Sequence, residues 1–466
     1  MISEKELEKL SYPDAPKIVT DKVPGPKGQK IWDEAAKYET PTRVGGMYLP
    51  FVWNEALGAT VKDPDGNTFL DMTGGLGTNN TGHTHPKVVE AIRNQAWKLI
   101  HTLDMVNPPR MELAKKLSEI MPKGLRGNCF TCFSTSGSGA IDIAIKYAKM
   151  ITKKTEIIGF QGAYAGVYGA SLALTTSYHY RMGYKPFVPE VYHLPYGYCY
   201  RCFVNLKYPD CGCACAKYVD YVLNTPYTGI TEPACVIVEP IQGEGGYVDP
   251  PKEFYPIIRE ACTKAGVLLI VDEIQAGFGR SGKILAIEHW GVDPDILVWG
   301  KGVGGDQPLT GVTVKADYQS KLEVGSQPAT FPGNALSCAA ALTNIEIMTD
   351  PSDELVKRAE VVGGEMKNKF LKAAETSPVI GDVRGKGFML SVELVKNKKT
   401  RDPVAPEKSF DIMMTLRNRG VLNFICGRYG NVFRFMPPLT TPKAYFEKAV
   451  DIYLGILKEK EKDLLQ

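Results

Sequence analysis

Apolar residues along this chain follow two alternating patterns. Between about residues 110 and 330, short apolar runs of strand length are separated by longer stretches with helical spacing. That is the pattern of βαβ units around a mostly parallel sheet. Three runs end on residues with chemical potential. Cys235-Val236-Ile237-Val238 ends at Glu239, Val267-Leu268-Leu269-Ile270-Val271 at Asp272, and Ile296-Leu297-Val298-Trp299 at Gly300-Lys301. Ligands of open α/β sheets lie beyond the carboxyl ends of the strands, so these ends are expected to meet in one pocket. Upstream, residues 59–71 alternate, turn at Asp65-Gly66 and alternate again, which predicts a hairpin. A helix is expected from Ala335 to about Met348. Beyond residue 352 helices mix with short strands at Gly387–Glu393 and Asn431–Phe435. Residues 1–50, rich in Pro, Lys and Glu, read as an extended arm with one short helix. The expected organisation is an arm and part of a small domain over 1–80, a large α/β domain over 81–345, and a small α/β domain over 346–466.

Composition alters that picture little. A chain of 466 residues, 44 % hydrophobic and 23 % charged, is an ordinary globular protein able to bury a large core. A net charge of +3 is too small, at this size, to point to nucleic acid or a membrane surface as a partner. The opening MISEKELEKL mixes acids with lysines and has no apolar stretch behind it, so no signal peptide is expected. No apolar run approaches the ~20 residues a bilayer needs. Eleven cysteines in so long a chain do not make a disulfide-dense secreted domain. A cytoplasmic protein is expected.

Lys301 follows its strand with Gly300, Gly302, Gly304 and Gly305 around it, backbone that lets a cofactor approach closely. Desolvation lowers the pKa of such a lysine and makes it a natural Schiff-base former. Taken alone, Gly-Lys-Gly is better explained as a loop lysine. Asp272 begins Asp272-Glu273-Ile274-Gln275-Ala276-Gly277-Phe278-Gly279-Arg280. A carboxylate there can keep a pyridine nitrogen protonated, and a helix N-cap is the competing reading. Ser134-Thr135-Ser136-Gly137-Ser138-Gly139-Ala140 precedes a helix from Ile141 to Lys149. Small residues opening a helix leave N–H groups for a phosphate, and a simple capped helix fits equally well.

Glu239-Pro240-Ile241-Gln242-Gly243-Glu244-Gly245-Gly246, the Asp272–Gly282 segment and Asp293-Pro294-Asp295-Ile296-Leu297-Val298-Trp299-Gly300-Lys301-Gly302 together closely resemble the class III pyridoxal-phosphate (PLP) aminotransferases. These include 4-aminobutyrate, ornithine and other ω-amino-acid transaminases, and the likeness runs from roughly Gly58 to the C-terminus. The resemblance implies fold type I: an α/β chain with a large PLP-binding domain on a mostly parallel central sheet, and a smaller α/β domain built from the N- and C-terminal segments. It implies that Lys301 carries PLP and shuttles the substrate proton. Asp272 would pair with the pyridinium nitrogen, Gln275 would lie near the ring hydroxyl, and Tyr164 would stack on the ring. Gly137 and Ser138, beside Ser136, match the phosphate binders, and Glu239 joins the cofactor contacts. Thr330 matches a threonine that reaches the phosphate of the neighbouring subunit, implying a homodimer, or a tetramer, with active sites at the interface. Arg434 matches the arginine that grips a substrate carboxylate, and Glu244 the glutamate that pairs with it when no carboxylate is bound. Leu76 joins the substrate contacts. The implied partners are an amino donor and a 2-oxo acid, and no metal takes part.

Departures from the family pattern concern the substrate. Many members read Tyr-His-Gly-Arg where this chain has Tyr164-Ala165-Gly166-Val167. Val167 cannot replace a guanidinium. Either another residue supplies the charge for a distal carboxylate, or the substrates lack one, with pyruvate as acceptor. Gly139 stands where an acid is common in the family and Ile141 where a small polar residue is usual, and Ser136-Gly137-Ser138 also resembles amino-acid racemases and epimerases of the same fold, whose lysine returns the proton to Cα. The retained Glu244 and Arg434 favour transamination, and a decarboxylating transaminase of the dialkylglycine kind is a third reading. A non-catalytic scaffold would be expected to lose Lys301 or Asp272, and neither is lost.

Cysteine is also unevenly placed. Cys199-Tyr200-Arg201-Cys202 and Cys211-Gly212-Cys213-Ala214-Cys215 hold five of the eleven cysteines. A zinc knuckle, one or two disulfides and free thiols are all open, although CxCxC is poor spacing for tetrahedral zinc.

Overall fold

The structure is a computed structural model and describes residues 1–42 and 50–466. The chain forms two compact units, Met1–Pro86 with Thr349–Gln466, and Lys87–Met348. The amino-terminal arm carries two helices, Glu4–Lys9 and Pro26–Ala35, where the sequence predicts one. Ser3 and Glu6 form a capping box on the first. The second opens on Pro26, whose fixed φ suits a first helical position. Both are too short for periodicity to reveal. Strands β1 (Glu55–Leu57), β2 (Thr60–Lys62) and β3 (Thr68–Asp71) form an antiparallel sheet. The expected hairpin closes through Asp63, whose Oδ1 accepts the Asn67 N–H at 2.8 Å.

The Lys87–Met348 unit holds a seven-stranded sheet. Its strands are β4 (Cys129–Ser134), β5 (Glu156–Phe160), β6 (Val191–Leu194), β7 (Pro233–Val238), β8 (Leu268–Asp272), β9 (Ile296–Trp299) and β10 (Thr310–Lys315). Their spatial order is β4-β10-β9-β8-β7-β5-β6. Neighbours from β6 through β9 run parallel, and β10 runs antiparallel to both β4 and β9. Every residue of β7, β8 and β9 is buried, which is why these strands read as unbroken apolar runs. The helix Gly137–Thr152 packs Ala140, Ile141, Ala144 and Ala148 into the same core as Ile270, Ile296, Val298 and Val312. It begins ahead of the expected Ile141 because the Ser136 side chain caps it, accepting the Gly139 N–H at 3.1 Å.

In the carboxy-terminal segment β11 (Ile380–Lys386), β12 (Met389–Asn397), β15 (Phe424–Cys426) and β16 (Val432–Phe435) pair antiparallel in the order β11-β12-β16-β15, with β13 (Asp402–Pro403) on β12. Strand β14 (Val421–Leu422) pairs parallel with β3, which makes one unit of the two chain ends. Phe370, Phe435 and Tyr453 join the helices Leu355–Thr376 and Lys443–Leu464 to this sheet, with ring centroids 4.9 and 5.2 Å from Phe435. No helix among the described residues is long and apolar enough to cross a membrane.

Candidate active site

Because β7, β8 and β9 are parallel neighbours, with Val238 beside Val271 and Asp272 beside Val298, their carboxyl ends lie side by side. Glu239, Asp272 and Lys301 stand at those ends. Asp272 is buried, and burial pushes its carboxyl up to about 6, against the pull of the Ile274 N–H and the Lys301 charge. The Ile274 N–H donates to Asp272 Oδ1 at 2.9 Å. Glu239 is pushed up to about 8, first by burial and then by Asp272, against the Gly243 and Tyr164 N–H groups and Lys301. Two carboxyls thus share a poorly solvated space, where the Lys301 charge favours the ionised form of both and Asp272 opposes ionisation of Glu239.

Lys301 has φ +46°, the left-handed region that a side-chain-bearing residue enters at a cost. It opens a 3-10 turn, Lys301–Val303. From the helix Ala335–Thr349, Asn344 Nδ2 donates to the Gly302 and Val303 carbonyls at 2.7 and 3.0 Å. That buried amide fixes the backbone that carries Lys301.

Glu239 acts as a clamp. Its Oε1 accepts the Tyr164 N–H at 3.1 Å and its Oε2 the Gly243 N–H at 2.8 Å. The loop bearing Tyr164 is therefore fastened to the end of β7. Burial, with Glu244 and Glu239 nearby, raises the Tyr164 hydroxyl above its ordinary range. The same cavity is lined by Ala163, Tyr164, Glu239, Gln242 and Asp272. Gln275 packs against Gly243, where any Cβ would collide with Gln275 Oε1.

The raised Glu239 has a consequence for the cofactor-free protein. An unfolded glutamate titrates near ~4.3, and the folded one near 8. In between, the folded chain holds the extra proton. This stabilisation is complete below the unfolded value and is lost as pH rises through the folded one. The melting temperature is expected to fall from about pH 4 to about pH 8, and Glu239→Gln to make that fall shallower. An unchanged slope in the variant would count against this assignment.

At the start of the helix Gly137–Thr152, the N–H groups of Gly137 and Ser138 precede the intrahelical ladder and form part of the positive end of the helix dipole. Ser138 Oγ accepts the Val167 N–H at 3.2 Å. Gly166, at φ +151°, leaves no room for a Cβ beside the Ser138 and Ser171 hydroxyls. The Tyr164–Val167 loop and this first turn are therefore locked together. Tyr168 hydrogen-bonds Ser136 through their hydroxyls, and Thr310 Oγ1 donates to the Ser136 carbonyl at 3.0 Å.

The other expected site residues are placed as follows. Glu244 is half-buried, close enough to Tyr164 to raise its hydroxyl. Thr330 is exposed, ahead of the helix Ala335–Thr349. In the other unit, Arg434 is buried on β16, opposite Ser391 and Phe424. Leu76, also in that unit, holds a left-handed conformation, φ +61°, within the Gly74–Gly77 turn. Sequence reasoning missed Asn344, Tyr168, Thr310 and Glu273. Glu273 is wholly buried and accepts the Ala286 and Ile287 N–H groups at 2.9 and 2.7 Å. Its only sequence signal was a second acid at a strand end.

A buried carboxylate suits a protonated ring nitrogen, a lysine amine suits an aldehyde, and the open first turn of a helix suits a phosphate. Gly166 and Gly243 keep the surrounding walls free of side chains. The donor set fits PLP, and with the sheet topology it defines a PLP enzyme of fold type I. The model of the family described as aminotransferase class-III matches residues 42–457, and the chain belongs to that family of PLP-dependent aminotransferases. It is 34 % identical over 445 residues to the 4-aminobutyrate aminotransferase of Mycobacterium leprae (strain TN), covering 94 % of this chain and 97 % of that one. It is 33 % identical over 451 residues to the alanine/serine racemase of Pyrococcus horikoshii, covering 95 % and 93 %. Among solved structures, the (S)-enantioselective omega-transaminase from Thermomicrobium roseum superposes with a TM-score of 0.82 at 29 % identity, covering 91 % of this chain and 97 % of that one.

Proposed function

We propose that this enzyme moves an amino group from an ω-amine or amino acid to a 2-oxo acid, with Lys301 as the lysine that holds PLP. The observation that carries this reading is the shared environment of Lys301, Asp272 and Glu239 at three adjacent strand ends. When bound, PLP supplies an electron sink that loosens the hydrogen on the substrate's amine-bearing carbon. Lys301 Nζ takes that proton as general base. Asp272, denied water and fixed by the Ile274 N–H, supplies the anion that a ring cation needs. Tyr164 supplies an aromatic face, Gln275 a hydrogen-bond partner for the ring hydroxyl, and Ser136, Gly137 and Ser138 the phosphate contacts. Glu239 keeps the Tyr164 loop against β7 and so acts as a positioning residue. Arg434 is assigned to the substrate carboxylate, Glu244 to its countercharge role, and Leu76 to the substrate wall. The exposure of Thr330 supports a part at a neighbouring subunit's phosphate, hence a homodimer. A PLP-binding domain over 81–345 and a cytoplasmic location complete the reading.

The racemase among the relatives supports a second reading, in which Lys301 returns the proton to the carbon it came from. Holoenzyme given one amino donor and no oxo acid separates them. Transamination yields one oxo product per site and bleaches the cofactor's yellow colour. Interconversion of D and L forms with the colour retained would replace the proposal. The neutral Val167 further predicts faster turnover with pyruvate than with 2-oxoglutarate, and the reverse order would mean that another cation serves the distal carboxylate.

A further inference from the structure

Five thiols that this chemistry does not use line one cavity of the Lys87–Met348 unit, together with Tyr198, Phe203 and Pro251. Cys199 and Cys202 begin and follow the 3-10 turn Cys199–Arg201, while Cys213 and Cys215 straddle the start of the helix Ala214–Asn224. Cys199 is exposed, Cys202, Cys211 and Cys215 are half-buried, and Cys213 is buried; none is in a disulfide. Among the described residues no three His, Cys, Asp or Glu side chains are grouped so that they could hold a metal ion. The zinc knuckle open to the sequence is therefore not built here. What stands in its place is one close pair, with Cys213 Sγ and Cys215 Sγ 3.9 Å apart.

We propose that Cys213 and Cys215 form a reversible dithiol site for a small peroxide entering the cavity. Cys213 occupies the N-cap of an 11-residue helix, at φ +58°, where the helix dipole favours a thiolate. Either thiol can donate in their contact; with Cys215 donating, Cys213 at the helix start is held below the ordinary thiol range, helped by the Ala216 N–H and opposed by burial. The same contact holds Cys215 up as the protonated partner. One member of the pair is thus poised to attack and the other to resolve.

The step balances without a metal. Cys213 sulfur attacks one peroxide oxygen and the O–O bond breaks; the departing oxygen takes a proton and leaves as water. Cys213 is then a sulfenic acid. Cys215 sulfur attacks that sulfur, the S–O bond breaks, a second water leaves and the S–S bond forms. Two electrons pass from the two sulfurs to the peroxide, and the two thiol protons end in the waters. A dithiol reductant reverses the bridge by exchange.

The test uses the holoenzyme. It is treated with hydrogen peroxide, quenched, alkylated with a maleimide under denaturing conditions, digested and mapped by mass. The expected result is loss of two alkylations at Cys213 and Cys215, full recovery after dithiothreitol, and a Cys215→Ser variant that stops at a dimedone-reactive Cys213. A bridge at Cys199 or Cys211, unchanged alkylation of Cys213 and Cys215, or stoichiometric zinc that blocks the reaction would overturn the assignment.

Discussion

Lys301→Ala is expected to leave a folded chain that loses PLP on desalting and turns over more than about 10³-fold slower than the parent, the scale of a removed acid–base group. The fold should survive because position 301 sits in a short turn whose following carbonyls are held by Asn344, not by the lysine side chain. The left-handed φ of +46° burdens lysine and alanine alike, so the substitution adds no new strain. Lost with the amine are the covalent hold on the cofactor and the base for the substrate proton. Retained visible absorption after desalting, circular dichroism and single-turnover rates check the three parts separately. A variant that keeps both its colour and its rate would remove Lys301 from the centre of the site.

Asp272→Asn should be nearly as damaging to catalysis while leaving the protein as stable or more so. Asparagine keeps an oxygen for the Ile274 N–H, which now binds Oδ1 at 2.9 Å, and it fills the same space. It carries no charge to balance a ring cation. Removing one such preorganised electrostatic partner costs ~10²–10³ in kcat. Stability moves differently. Burial raises Asp272 to about 6, so above that pH the folded parent bears an ionised carboxylate that it hosts less well than the unfolded chain does. The cofactor-free variant should therefore melt no lower than the parent at pH above about 6. A collapse in melting temperature would mean that Asp272 serves structure, as the helix-cap reading of its sequence holds. Activity and stability are pulled apart here in the way common to strained sites.

Why so much of this site could be read in advance follows from the burial of β7, β8 and β9. Strands covered on both faces leave a charged residue conspicuous where the run stops, and parallel neighbours bring those stops together. Glu239, Asp272 and Lys301 were legible for that reason. The supports were not. Asn344 lies in an Ala-rich helix with nothing in its spacing to mark it, and its role depends on backbone carbonyls more than 40 residues away. Tyr168 meets Ser136 only because Gly166 lets the loop close over the helix start. The early start of the helix Gly137–Thr152 depends on a cap that propensity hides, since glycine and serine at its opening read as loop. Of the short helices of the arm, the first is fixed by its capping box and the second by Pro26 and by Asp65, whose carboxylate accepts the Lys27 and Gly28 N–H groups. Val167 is exposed at the end of the Tyr164 loop, and only its departure from the family resemblance singled it out.

The most direct test of the central claim is chemical. Holoenzyme reduced with borohydride, which makes the lysine–cofactor link permanent, is digested and mapped by mass spectrometry. The account predicts one pyridoxyl-phosphate label per chain, on the peptide containing Lys301. A label on another lysine, or none on a yellow protein, would contradict it.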